Sequence, residues 1–167
     1  MRGIMVKQTT YRNVMIAALA ALVILIGIAV YLHGDAFGSG DAKARETVTT
    51  FGAQLQMVSL MAPDASSTIA SVYGPYVTPE LLAAWEKNPS KAPGRETSSP
   101  WPDRIEITQV APQGSGYIVH GEMVMMTSNE IEHGGDAGRV PVVLQVVPQD
   151  NSWRIAAFQE IATSTKR

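Results

Sequence analysis

The 167-residue chain has no cysteine. That excludes a disulfide framework, a thiolate zinc site, an iron–sulfur centre and a cysteine nucleophile. Charge is also scarce: Asp, Glu, Lys and Arg supply 17% of residues, against roughly one quarter in an ordinary soluble protein. A basic surplus is missing, with 13 Lys and Arg against 15 Asp and Glu. From Asp41 onward the ratio is ten to fourteen, so a phosphate-gripping, nucleic-acid-binding surface is excluded. The three histidines, His33, His120 and His133, form no i,i+2 or i,i+4 pair, and no metal site is expected. There is no G-x-S-x-G elbow, no phosphate-binding glycine loop and no dinucleotide fingerprint. No catalytic residue and no cofactor are therefore assigned.

The charge deficit has a location. Val14 to Leu32 is a run of 19 residues without a single charge, and as a helix it would be ~28 Å long, close to the bilayer hydrocarbon core. A cleaved signal peptide is the rival reading, but its apolar region is shorter and ends at a small-x-small site. Here Tyr31-Leu32-His33-Gly34-Asp35 follows. Arg2, Lys7 and Arg12 precede the run without an acidic residue, which favours a cytoplasmic N-terminus. The expected organisation is a cytoplasmic tail (1–13), a transmembrane helix (14–32), a linker (33–41), an exported domain (42–161) and a tail (162–167). The protein is expected in the cell membrane, single-pass, with its C-terminal domain extracytoplasmic.

The exported part opens with a helical stripe: Ala44, Val48, Phe51, Leu55, Val58 and Ala62 recur at 3.6-residue spacing, predicting one helix over Asp41–Ala62. Asp64 is the expected cap of a second helix, Ala65 to Tyr73, which Gly74-Pro75 ends. Thr78 caps a third, with Pro79 in its first turn and Asn88-Pro89 after it. Proline and serine make a loop of Lys87 to Asp103. The period then changes to two. Strands are predicted over Arg104–Val110, Tyr117–Thr127, Val140–Val147 and Trp153–Phe158, with a polar loop at Asn129–Gly138. Val140–Val147 is almost continuously apolar and is expected to be covered on both faces. Helices followed by an antiparallel meander define an α+β domain, with three helices packed on one face of a four-stranded sheet.

The long first helix, two shorter ones, a Pro-rich crossing and a meander ending Trp153-Arg154-Ile155-Ala156-Ala157-Phe158 resemble the nuclear transport factor 2-like superfamily. The resemblance covers about Asp41 to Glu160 and implies a cone between sheet and helices. Enzymes of that type carry acids, histidines and tyrosines in the cone, which makes Tyr73, Tyr76 and Asp103 the candidate pocket polars. Trp101, between two prolines, is expected to plug the open end of the sandwich. With its single anchor, the chain also resembles the inner-membrane assembly proteins of type IV secretion.

Fold alone does not select a function. The leading reading is a non-enzymatic interaction or assembly domain tethered outside the cytoplasmic membrane. The alternatives are a small-molecule-binding or isomerase-like cone and a regulator of envelope signalling. On Tyr117–Thr127, Val119, Met123 and Met125 should meet the helices, together with Ile155 and Ala157. The opposite face should carry Ile118, His120, Glu122, Val124 and Met126, with Val143 and Phe158 beside them. An uncovered face so rich in apolar groups is expected to pair with another copy or with other envelope proteins. The alternative is that Ile161–Arg167 or the Asn129–Gly138 loop folds over it.

Overall fold

The computed structural model describes residues 40–161. The expected tail 1–13, the span 14–32, nearly all of the linker and the tail 162–167 lie outside the described residues. Among the described residues, no helix is long and apolar enough to cross a membrane.

The domain is α+β: helices first, then one four-stranded antiparallel sheet. Helix α1 occupies residues 40–52. Gly40, expected in the linker, is already helical, and Asp41, the expected first residue of the helix, pairs with Arg45 one turn later at 3.2 Å. A side chain at position 40 would strike the Tyr117 ring, since an added Cβ would lie 2.6 Å from the Tyr117 hydroxyl. The anticipated continuous helix to Ala62 is not formed. It stops at Gly52, where an added Cβ would lie 2.7 Å from the Ile105 backbone nitrogen; only glycine allows the helix end to approach the sheet so closely. A 3₁₀ turn at Leu55–Met57 follows. Its neighbour Ser59 makes a parallel bridge to Arg95, with Arg95 N–H donating to Val58 at 2.8 Å and Leu60 N–H to Arg95 at 2.9 Å. The stripe survives the break, because Ala44, Val48, Phe51, Leu55 and Val58 are all fully buried.

Helix α2 (Ala65–Tyr73) forms as expected, although Asp64 makes no side-chain cap. Helix α3 (Pro79–Lys87) has the predicted start, with the Thr78 hydroxyl accepting from Leu81 N–H at 3.4 Å. The strands are β1 (Trp101–Gln113), β2 (Gly116–Met126), β3 (Gly138–Gln149) and β4 (Ser152–Glu160), paired in sequence order. Asp150 and Asn151 turn β3 into β4 with φ of 48° and 60°, the left-handed values that suit a tight hairpin and that Asn and Asp tolerate. A short helix, α4 (Ser128–His133), replaces the first half of the expected polar loop. Its signature was present in the sequence as Thr127-x-x-Glu130. The Thr127 hydroxyl accepts from Asn129 N–H at 3.2 Å, and Thr127 N–H donates back to Glu130 at 3.0 Å, a capping box.

The helices and one face of the sheet enclose a single apolar cluster. Phe51 lies at its centre, with ring centroids 5.0 Å from Tyr73, 6.3 Å from Trp85 and 6.2 Å from Phe158. Trp85 fills this core; Trp101 does not. Trp101 opens β1 as the register partner of Met126 and stays half-buried outside the cluster. Strand β3 alternates rather than being covered on both faces: Val142, Leu144 and Val146 are buried, whereas Pro141, Val143 and Gln145 are half-buried.

Candidate functional site

The register assigns every strand residue to a face. Val119 and Met123 of β2 are buried in the helix-covered core, and Met125 packs against it. Ile118, His120, Glu122, Val124 and Met126 point to the other face, where His120 stands opposite Val143 of β3. Phe158 does not join them. Between Gln145–Ala157 and Val146–Ile155 the pairing skips Ala156, an extra residue that inverts the alternation along β4. Phe158 therefore pairs with Leu144 and packs into the core, while Ala157 pairs with Gln145 and is exposed.

The outer face is ionic at one end. Glu106 of β1 and Glu122 of β2 are register partners, a like-charge pair that is unfavourable alone. Arg139 of β3 joins them, its Nη1 lying 2.6 Å from Glu106 and 3.0 Å from Glu122, while Nε donates to Asp136 at 2.8 Å. Arg104 completes the ladder, 2.6 Å from Glu106 and 2.9 Å from Asp103. Bonding to Arg139 and then to Arg104 holds the Glu106 carboxyl below its usual range. Between the two arginines in register sits Val124, which is 0% exposed despite facing outward. Long stems with wet, anchored heads screen an apolar neighbour in this way. Further along the face, Ile118 and Val143 are half-buried and His120 is exposed.

The three candidate pocket polars are not brought together. Tyr73 is fully buried, its hydroxyl donates to the Pro93 carbonyl at 2.7 Å, and burial pushes its pKa upward. That is a structural hydroxyl. Tyr76 is half-buried, edge-on to Phe51, and borders an open depression of about 400 Å³ with Lys43, Glu46 and Asn151. Asp103 is the extra residue of a β-bulge and belongs to the outer ladder through Arg104.

Two carboxylates not singled out from the sequence line one cleft. A cleft of about 280 Å³ opens between the sheet and the 92–100 loop, lined by Leu60, Met123, Met125, Val140 and two acids, Glu96 and Glu160. Glu160 is the register partner of buried Val142 and so faces the helix side. Desolvation first, and the Glu96 charge second, push its pKa up. The two acids are 64 residues apart in the sequence, so only the fold could reveal the pair. Among the described residues, no group of three or more His, Cys, Asp or Glu could hold a metal ion. The chain matches no family model, and no curated protein or solved structure shows significant similarity to it.

Proposed function

We propose that the chain is a membrane-anchored, extracytoplasmic interaction domain, non-enzymatic, which assembles through the outer face of its sheet. The observation that carries this reading is the asymmetry of that sheet. One face is closed by an aromatic core, and the other presents a braced ion ladder beside half-buried Ile118, Val143 and Met126. A braced, mixed surface of this kind suits recognition, whereas Tyr73, Tyr76 and Asp103 are not brought into one pocket.

The face, rather than an edge, is the docking element. Edge strand β1 carries Pro102 and Pro112 and two bulges, devices that discourage edge-to-edge pairing. Part of the β4 edge is taken by the segment before α3, with Thr78 N–H donating to Ile155 at 2.9 Å and Ile155 N–H to Tyr76 at 2.8 Å. A second copy is the occupant we favour. The ladder holds arginines and carboxylates side by side, so a two-fold axis near His120 lets each sign find its opposite. The apolar run of residues 14–32, read as a membrane anchor, would confine copies to two dimensions and raise their effective concentration.

Helices on one face of a meander, in this order, are the arrangement expected of a nuclear transport factor 2-like cone. With the anchor, it supports kinship in kind with the inner-membrane assembly proteins of type IV secretion or other envelope complexes. The test uses the full-length protein in membranes. Ile118→Asp with Val143→Asp should leave the fold intact and abolish self-association measured by resonance energy transfer between labelled copies. Unchanged transfer would refute the docking face. A reporter fused after Arg167 that is active only in the cytoplasm would refute the proposed orientation.

A further inference from the structure

The cleft between the sheet and the 92–100 loop lies on the opposite side of the sheet from the proposed docking face. We propose that it binds a small organic cation, a protonated amine carrying an apolar body, seated on Met123, Met125 and Val140 with its charge between Glu96 and Glu160.

Size sets the ligand class first. An engineered apolar cavity of about 150 Å³ holds one benzene, so the cleft's volume of about 280 Å³ accommodates a body of about ten non-hydrogen atoms. The sign of the ligand follows from the lining. Among the described residues, Glu96 and Glu160 are the only ionisable side chains bordering the cleft. Among the described residues, neither forms an ion pair: the salt bridges of the domain involve Asp41, Asp103, Glu106, Glu122 and Asp136. The contrast with the outer face is direct, since four carboxylates there share two arginines and here two carboxylates share none. Both acids are solvent-exposed, and an ammonium group between them would bring a counter-charge and form charge-assisted hydrogen bonds to both. The backbone holds both acids in place. Glu160 is fixed at the end of β4 by its pairing with Val142, and Glu96 follows Arg95, whose backbone bridges to Val58 and Leu60. Met123 and Met125 in the lining of the cleft can adapt to differently shaped apolar bodies.

The experiment uses full-length protein in phosphatidylcholine nanodiscs, with empty nanodiscs as the baseline and saturation-transfer NMR as the readout. The probes are phenethylammonium, its neutral counterpart 3-phenylpropionamide and the anion 3-phenylpropionate. The ammonium should bind saturably with a Kd between about 1 μM and 1 mM, the range open to a ligand of this size. The amide and the carboxylate should bind at least about tenfold more weakly, since each lacks the charge-assisted contacts. Glu96→Gln and Glu160→Gln should each weaken the ammonium about tenfold, and the double variant should abolish its preference over the amide. Val140→Phe should block all three probes while leaving both acids in place. If Glu160→Gln fails to fold, Glu96→Gln and Val140→Phe decide the matter alone. No saturable ammonium binding up to about 10 mM, equal binding of ammonium and amide, or ammonium binding unchanged in Glu96→Gln would overturn the proposal.

Discussion

Strand β2 is a single run of eleven residues whose two sides live in different solvents. On one side Val119 and Met123 are buried among aromatic rings from the helices; on the other, His120 is exposed and Glu122 is held by Arg139. The lesson of that difference is a division of labour. The inner face is cohesive because it removes apolar area from water. The outer face contributes little to cohesion, since partly exposed ion pairs are individually weak, and its arrangement is free to serve recognition. Substitutions should therefore separate cleanly: inner-face changes move stability, and outer-face changes move association.

The largest effect is expected at Phe51, which contacts Tyr73, Trp85 and Phe158. Phe51→Ala should cost about 3–5 kcal/mol, read from the urea midpoint of unfolding. A loss under about 1 kcal/mol would mean that this cluster is not the stabilising core. Next comes Tyr73→Phe, which keeps the ring and removes the donor to the Pro93 carbonyl. A loss of about 1–3 kcal/mol is expected, because the carbonyl is left unsatisfied in a buried place. On the outer face, Val143→Asp should change stability by about 1 kcal/mol or less while still breaking association. A larger loss would show that something packs against this face in the monomer.

The smallest effects are pH-dependent and have opposite signs on the two sides. Glu106 has a depressed pKa, so its ion pairs stabilise the fold above the ordinary carboxylate range and are lost as pH falls through the depressed value. Arg139→Gln should flatten that acid limb in a series of melts. Glu160 has a raised pKa, so its contribution is fully present below the ordinary carboxylate range and fades as pH rises through the raised value. Glu160→Gln should therefore remove a loss of stability on the way up to neutral pH, the reverse of the Arg139 result.

Local patterns in the sequence carried much of this arrangement. The stripe from Ala44 to Val58 marked buried positions correctly because burial follows 3.6-residue geometry even where the helix yields to a 3₁₀ turn. Thr78-Pro79 marked a helix start because capping is chemistry between near neighbours. What stayed hidden depended on distant partners. Nothing within Thr50–Ala53 announces that Ile105 will press against Gly52. The skipped residue Ala156 exchanged Ala157 and Phe158 between faces, and it shows only once β3 is alongside. The charge pattern of the outer face was hidden for the same reason: Glu106, Glu122 and Arg139 come from three strands. The Glu96–Glu160 cleft joins a loop to the end of the last strand.

The absence of cysteine makes the central claim directly measurable. His120→Cys places one thiol at the middle of the outer face, and Ala83→Cys places one on the exposed side of α3. Each full-length variant, in membranes, is treated with a short bismaleimide and resolved by denaturing electrophoresis. Docking through the sheet predicts a crosslinked dimer with Cys at position 120, its loss when Val143→Asp is added, and monomer only with Cys at position 83. Equal crosslinking at both positions, or none at position 120, would contradict the assignment of the outer face as the surface through which this domain assembles.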